Sequence, residues 1–460
     1  MTTVQVRPIV TGPITGGRKG WPFGASLLKV SEYGYAEEEY FLEGTAKRYR
    51  LTPNAELSPD GNWNVEPAGE SPYRTRMLVY RPSDASRFNG TVVLTWNNVS
   101  FGHDLFDAES LELIEGGFAL VCLTTQKLGV EGLAPEPRGL ANWDPERYGS
   151  LSIPHDDYSF DIFSQCAAAV GKDRARTPVD PLGGLDVRRV VAHGISQGAG
   201  RLATYVNAIQ PRSRALDGFI LAEYFGSGAP LEAGDAVVHI YLPQTGRRQR
   251  LRATTRLRED LGVPIFLVNS EMEALACHSF RQPDTDGFRC WEAAGTCHVS
   301  TQMLRAFRAK LTRDNVGELV VPEGINRVPL PPLFDAAFHH MHCWLADGLP
   351  PPSQPKLEIA GDPAEVVRDE HGIAKGGVRL PQVEVPLAQN TAIPRSDEIF
   401  EFLGGSSRSF PREKVLALYG TKANFLRLFG AAAQRAVEAG VLLQRDVPAL
   451  VAEASADWPE

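Results

Sequence analysis

The sequence predicts an α/β fold built on a mainly parallel β-sheet, with helices covering both faces. Short β-branched and apolar runs alternate with segments whose apolar residues recur at helical spacing, as at 118–125 and then 160–170. Strands that alternate with helices in this way are joined in parallel and buried on both faces. The run at 190–195 leads directly into a Gly-x-Ser-x-Gly turn and a helix, which fits the same architecture.

The individual elements are predicted from the same patterns. Strands are expected at 39–44, 76–82, 90–96, 118–125, 190–195, 216–222, 263–268 and 288–293. Helices are expected at 105–115, 160–170, 198–209, within 300–345, and near 411–419 and 421–440, the last two accounting for the final sixty residues. The stretch 127–157 is expected to be irregular, and 356–396 to hold short strands. A basic patch at 247–252 is typical of a solvated surface.

The 460 residues exceed one ordinary domain and permit one large domain with insertions, or two domains. Three parts are predicted along the chain. Residues 1–70 form an N-terminal extension packed on the core. Residues 71–345 form the core, with insertions at about 127–157 and 225–262. Residues 346–460 form a C-terminal extension of short strands and then helices.

The composition predicts a cytoplasmic protein that binds neither nucleic acid nor membrane. The net charge of −9 disfavours polyanionic partners, and no apolar run reaches membrane-spanning length. The first residues lack the basic-then-apolar layout of a signal peptide. Six cysteines in so long a chain do not indicate a disulfide framework. The oligomeric state is left open.

The motif with the clearest chemistry is Gly194-Ile195-Ser196-Gln197-Gly198. In a nucleophile elbow the serine occupies a strained turn between strand and helix, and nearby positions must lack a Cβ that would clash. Gly194 and Gly198 meet this need. The alternative is a glycine-rich turn with an ordinary serine, but the strand before it and the helix after it favour Ser196 as a nucleophile.

A serine nucleophile needs a base and a carboxylate that orients the base. In this type of site the chain order is serine, acid, histidine. His298 follows the last predicted strand and is the expected base, whereas His193 lies inside the elbow strand and His278 in a loop. The acid is expected after the strand ending at Val268, where Glu271 and Glu273 both lie; Glu223, after the preceding strand, is a weaker option.

The oxyanion hole requires two backbone N–H donors. The first is expected from Gln197, directly after the nucleophile. The second is expected from the loop after the strand at 90–96, from the amide of Asn97 or Asn98.

Six stretches give the sequence a family resemblance: WNNVS (96–100), DPERYG (144–149), GISQG (194–198), RQPDTD (281–286), WEAAGT (291–296) and GGVRLP (376–381). With these motifs the chain resembles a bacterial branch of the α/β-hydrolase superfamily, the alpha/beta hydrolase domain-containing proteins. The resemblance covers nearly the whole chain and implies an α/β-hydrolase fold and a serine ester hydrolase with Ser196 and His298 in catalytic places. It does not identify the ester.

Two details follow from that resemblance. Many superfamily members end the acid-bearing strand in Gly-x-x-Asp, and Ser270-Glu271-Met272-Glu273 overlays that spacing, which favours Glu273 over Glu271. The family pattern has alanine where Cys297 stands. In tannase-like and feruloyl-esterase-like enzymes, which this chain resembles at that position, such a cysteine bonds one beside the serine; Ile195 occupies that place, so no disulfide is expected.

The predicted reaction is hydrolysis of a small-molecule carboxylic ester by a Ser-His-Glu triad, without cofactor or metal. A lactonase, amidase or acyltransferase would use the same residues, and a non-catalytic ligand-binding homologue is a further alternative. The segment His339-His340-Met341-His342-Cys343 is not expected to bind a metal, because an apolar helical stripe separates its histidines onto other faces.

Overall fold

The computed structural model describes residues 7–105, 110–232 and 255–459. The chain divides into two compact units, Met1–Ile265 and Phe266–Glu460. The predicted basic patch at 247–252 and part of the predicted helix at 105–115 lie outside the described residues. The predicted boundaries at 70 and 345 stay predictions.

The first unit is organised around a mixed sheet. Its strands are β1 (Ile9–Thr11), β2 (Tyr35–Leu51), β3 (Val65–Pro82), β4 (Thr91–Trp96), β5 (Ala119–Leu123), β6 (Arg189–Ile195) and β7 (Gly218–Ala222). They are ordered β1-β2-β3-β5-β4-β6-β7. The first three pair antiparallel, β3 also pairs antiparallel with β5, and β5, β4, β6 and β7 run parallel.

The N-terminal strands are longer than the sequence predicted. The expected strand at 39–44 is the middle of the 17-residue β2, because β2 pairs along its length with the 18-residue β3. β3 and β4 were expected to be joined by a polar turn, and they are consecutive in the chain, but β5 lies between them in the sheet. A parallel crossover from β4 through a helix places β5 there.

The helices of the first unit connect these strands. They are α1 (Leu111–Glu115), α2 (Lys127–Glu131), α3 (Leu140–Trp143), α4 (Pro145–Tyr148), α5 (Ser159–Val170), α6 (Gln197–Thr204) and α7 (Gln210–Ser213), with a π-helical turn at Tyr205–Ile209. The stretch 127–157, expected to be irregular, therefore holds three short helices. The prediction for α5 is confirmed: Phe160, Phe163, Ala167 and Val170 are all buried.

The second unit contains the remaining elements. Its strands are β8 (Ile265–Ser270, which begins at the boundary), β9 (Phe288–Ala293), β10 (Ile359–Ala360), β11 (Glu365–Val366), β12 (Ala388–Thr391) and β13 (Ser406–Ser409). Its helices are α8 (Glu271–Cys277), α9 (Thr301–Asp314), α10 (Pro331–Asp347), α11 (Pro381–Glu384), α12 (Ile399–Leu403), α13 (Arg412–Tyr419), α14 (Lys422–Glu438) and α15 (Val447–Ala456). Helices α13 and α14 were predicted, whereas α15 was missed. A proline lies in its first turn, where the missing N–H has no partner to lose.

Residues from the predicted C-terminal extension share a core with the elements that carry the candidate acid and base. Ala274 of α8 and Ala294 after β9 are buried in one cluster with Leu357, Ile373 and Leu380. Burial of this apolar surface holds the segment after residue 356 against the ends of β8 and β9. Among the described residues, no helix has both the length and the apolar character needed to cross a membrane.

Candidate active site

Ser196 lies in a sharp turn between β6 and α6. Its backbone angles are φ 57° and ψ −112°, a conformation that non-glycine residues rarely adopt and that is strained. A Cβ built on Gly194 would lie 2.7 Å from the carbonyl carbon of Gly198, and one on Gly198 would lie 2.8 Å from the backbone oxygen of Trp96. The sequence argument that these two positions must be glycine is confirmed.

His193, in the strand before the elbow, is a core residue. It is buried, and its Nδ1 lies 3.3 Å from the hydroxyl of Thr95 on β4. Burial lowers its pKa from 6.5 to about 3, so the ring is neutral at physiological pH.

Glu273 and His298 form a buried pair in the second unit. The Oε1 atom of Glu273 lies 2.8 Å from Nδ1 of His298, and both side chains are almost fully buried. The Oε2 atom of Glu273 accepts from the backbone N–H of Ser270 at 3.1 Å and from its hydroxyl, which makes a capping box at the start of α8. With the Nδ1 proton directed at the carboxylate, the other ring nitrogen, Nε2, can accept a proton.

Glu271 has different partners. Its Oε2 accepts from the backbone N–H of Gly295, in the loop that carries His298, at 3.0 Å. Its Oε1 accepts from the backbone N–H of Ala392 at 3.4 Å and pairs with the guanidinium of Arg368. Of the two carboxylates expected after β8, Glu273 contacts His298, and Glu271 connects the histidine loop to the C-terminal segment.

Glu223 and His278 are the other residues that the sequence offered as acid and base. Glu223 follows β7 in the first unit, is buried, and has φ 56°. His278 lies in a 3₁₀ turn after α8, with its Nδ1 3.3 Å from the carbonyl oxygen of Leu275.

The backbone N–H groups expected to form the oxyanion hole differ in whether they already donate a hydrogen bond within the protein. The N–H of Gln197 is at the first position of α6, where a helix provides no internal partner. The N–H of Asn97 donates to the carbonyl of Leu123 at 3.3 Å, and that of Asn98 donates to the carbonyl of Leu105 at 2.9 Å. The ladder between β4 and β5 extends past Trp96, and a bridge closes the loop from Asn98 to Leu105, so neither expected second backbone donor is free in this structure.

Two positioning contacts were not predicted from the sequence. The side-chain oxygen of Gln197 accepts from the backbone N–H of Val99 at 3.1 Å and ties the loop after β4 to the elbow. The side-chain amide of Asn326 donates to the carbonyl of Gly295 at 2.7 Å and supports the histidine loop. A glutamine inside the elbow motif is the one sequence signal that pointed toward such a contact.

The structure also shows the surroundings of Cys297 and of the histidine-rich segment at 339–343. Cys297 is buried beside the carbonyl oxygens of Val299 and Gly404, and none of the six cysteines forms a disulfide. Cys343 Sγ lies 3.7 Å from Nε2 of His339, and His340 contacts the carbonyl of Gly440. Within the described part of the chain, no three His, Cys, Asp or Glu side chains are grouped so as to hold a metal ion.

Several solved esterase structures resemble the chain at low identity. Esterase Est22 is 13% identical, with 63% of this chain and 82% of that one covered and a TM-score of 0.31. Brefeldin A esterase, a bacterial homologue of human hormone sensitive lipase, is 14% identical over 51% and 63% of the two chains, with a TM-score of 0.25. A glucuronoyl esterase from Solibacter usitatus is 9% identical over 68% and 87%, with a TM-score of 0.29.

No curated protein matches the chain. The family described as alpha/beta hydrolase domain matches residues 10–452, which is nearly the whole length. The elbow between β6 and α6 and the parallel strands β5, β4, β6 and β7 are the elements from which the sequence predicted that fold. The predicted fold class is therefore confirmed, and the chain belongs to the alpha/beta hydrolase domain family.

Proposed function

We propose that the protein hydrolyses carboxylic esters of small molecules through an acyl-enzyme, with Ser196 as nucleophile, His298 as base and Glu273 as the orienting acid. The observation that carries the proposal is the buried 2.8 Å contact between Glu273 and Nδ1 of His298. It fixes the tautomer a base needs, because it leaves Nε2 as the proton acceptor. The strained conformation of Ser196 supports the same assignment.

The proposed reaction proceeds in two halves. His298 takes the Ser196 hydroxyl proton as the serine oxygen bonds to the ester carbonyl carbon, and the tetrahedral intermediate then expels the alcohol, which receives that proton. His298 then takes a proton from the water that attacks the acyl-enzyme, and it returns this proton to the Ser196 oxygen as the carboxylic acid is released. Glu273 keeps its negative charge and stabilises the imidazolium formed in each half.

The developing oxyanion is assigned first to the N–H of Gln197, at the positive end of the α6 dipole. The backbone amides of Asn97 and Asn98 would act as the second donor only after releasing Leu123 or Leu105.

Other acyl-transfer reactions would use the same residues. A lactonase, an amidase or an acyltransferase differs in the leaving group or in the acceptor that replaces water. A non-catalytic ligand-binding homologue would have no use for a strained serine conformation, which costs about 1–3 kcal/mol of folding stability. The strain at Ser196 therefore favours an acyl-transfer enzyme over a non-catalytic ligand-binding protein.

The direct test combines labelling with turnover. A fluorophosphonate should label Ser196, and Ser196→Ala should remove nearly all hydrolysis of p-nitrophenyl esters, by about 10⁶ in kcat. Ser31→Ala, at an exposed serine, is the control and should keep both labelling and rate. Labelling at another residue, or hydrolysis by Ser196→Ala near the wild-type rate, would overturn the proposal.

A further inference from the structure

The side chain of Asn97 is buried without hydrogen bonds. It is 1% exposed, and neither its Nδ2 nor its Oδ1 has a hydrogen-bond partner among residues 7–105, 110–232 and 255–459. Buried side-chain amides in native proteins are almost always bonded, because an unpaired donor in a low-dielectric interior is destabilising. An amide retained without a protein partner is able to hydrogen-bond a water molecule or a ligand.

Asn97 lies beside the nucleophile elbow. It is the first residue after β4, and the parallel register pairs Thr95 of β4 with His193 of β6. Asn97 is two residues beyond Thr95 and Ser196 is three residues beyond His193, so both residues follow these neighbouring parallel strands at the same edge of the sheet. The adjoining Trp96 carbonyl is the atom that leaves no room for a Cβ on Gly198.

The loop that carries Asn97 is fixed on both sides. The N–H of Asn97 is bonded to Leu123 of β5, and the N–H of Val99 is bonded to the side chain of Gln197. The residue is thus held by its backbone while its side-chain amide keeps its full capacity to donate. A donor held in place without a competing partner is the arrangement that stabilises charge in a transition state.

We propose that Nδ2 of Asn97 is the second oxyanion donor, acting with the backbone N–H of Gln197. The role rests on the proposed ester hydrolysis at Ser196. When the serine oxygen bonds to the carbonyl carbon, the carbonyl electron pair moves to oxygen, and the neutral side-chain amide donates a hydrogen bond to that anion. Asn97 itself gains and loses no proton, and the bond weakens again when the carbonyl reforms.

The test compares two buried asparagines of the first unit that differ in hydrogen bonding. Asn97→Ala should lower kcat for p-nitrophenyl acetate by about 10²–10³ with little change in KM, because the bond strengthens only in the transition state. Its Tm should be unchanged or higher, because no hydrogen bond is lost. Asn207 is equally buried but donates to Arg256 and accepts from Arg258, so Asn207→Ala should lower Tm with little effect on kcat.

Two more measurements separate catalysis from structure. Asn97→Asp, which keeps the shape and replaces the donor with a carboxylate, should lose at least as much kcat as Asn97→Ala. The affinity of a trifluoromethyl ketone, which forms a tetrahedral oxyanion on the serine, should fall in parallel with kcat/KM across the variants.

The outcomes are distinguishable. If the wild-type protein neither hydrolyses the ester nor reacts with a fluorophosphonate at Ser196, the proposed function fails. If the wild type is active and Asn97→Ala keeps the wild-type kcat, the role of Asn97 is wrong. The same conclusion follows if Asn97→Ala and Asn97→Asp both unfold, or if both lose Tm as Asn207→Ala does, because Asn97 would then be structural.

Discussion

Two polar residues that directly follow strands, Asn97 after β4 and Glu271 after β8, are equally buried but differ in their partners. Asn97 has no side-chain hydrogen bond among the described residues. Glu271 accepts from two backbone amides and pairs with Arg368. This difference shows that two buried polar residues at strand ends can have different roles, depending on their hydrogen-bond partners. The satisfied side chain of Glu271 positions its neighbours, and we propose that the unpaired side chain of Asn97 binds the oxyanion.

The contacts around Glu271 show what the C-terminal segment does, a question that the sequence left open. The loop at 294–300 bonds to it through the N–H of Ala294 to Val378, and through the N–H of Val299 to Leu403. Glu271 adds the contacts with Arg368 and Ala392. Because His298 lies in this loop, the C-terminal segment fixes the position of the proposed base.

The largest effect within this comparison is expected when the two glutamates are neutralised. Glu273→Gln should lower kcat by about 10⁴, because the amide no longer stabilises the imidazolium or fixes its tautomer. Glu271→Gln should lower kcat far less and reduce Tm more, because it loses the ion pair with Arg368. Steady-state kinetics and thermal unfolding of both variants measure this. A near-normal Glu273→Gln beside an inactive Glu271→Gln would reverse the assignment of the acid.

The next effect tests the contact between Glu271 and the C-terminal segment. Arg368→Ala leaves the buried Glu271 carboxylate without its cation and should lower the free energy of unfolding by about 3 kcal/mol. Because the substitution also displaces the loop that carries His298, kcat should fall by roughly tenfold to a hundredfold at a similar KM.

Adding Glu271→Gln to Arg368→Ala should restore part of the lost stability, since it removes the unpaired charge. Arg408→Ala, at an exposed arginine, is the control. Unchanged kcat in Arg368→Ala would show that the segment does not position His298.

A smaller effect is expected from the cap that holds Glu273. Ser270→Ala removes the hydroxyl that accepts from Met272 N–H and donates to Glu273, and should lower the free energy of unfolding by about 1 kcal/mol. It should also lower kcat a few-fold, because Glu273 keeps only the backbone contact with Ser270. Ser110→Ala, which removes the cap of α1, should lower stability similarly but leave kcat unchanged. Equal kinetic behaviour of the two would argue against coupling of the cap to catalysis.

The smallest effect concerns metal ions. The proposed triad needs no cation, so dialysis against EDTA should leave kcat and KM for p-nitrophenyl esters unchanged. A loss of activity that zinc restores would instead direct attention to the histidines at 339–342.

The local parts of the site could be predicted, and the tertiary ones could not. The elbow follows from five consecutive residues whose glycines are required by close backbone contacts, so Ser196 could be placed from the sequence. His298 could be predicted as the base because it lies directly after β9 in the chain. Glu271 and Glu273 are two residues apart on the same helix, and the side chain that reaches His298 is determined by the capping box with Ser270.

The loop after β4 shows the limit more clearly. The sequence predicted an oxyanion loop there, but which of its backbone donors are free depends on which carbonyls face Asn97 and Asn98. Those carbonyls belong to Leu123 and Leu105, and the first is in place because β5 lies between β3 and β4 in the sheet. Strand order of this kind is fixed by tertiary packing and has no local sequence signal.

The most direct measurement is to trap the acyl-enzyme. The protein is mixed with a p-nitrophenyl ester whose acyl group hydrolyses slowly, quenched in acid during the burst of p-nitrophenol, and mapped by peptide mass spectrometry. We predict one acyl group on Ser196, absent in Ser196→Ala and formed much more slowly in Glu273→Gln. An acyl group on another residue, or turnover with no burst and no acylated peptide, would contradict the proposed mechanism.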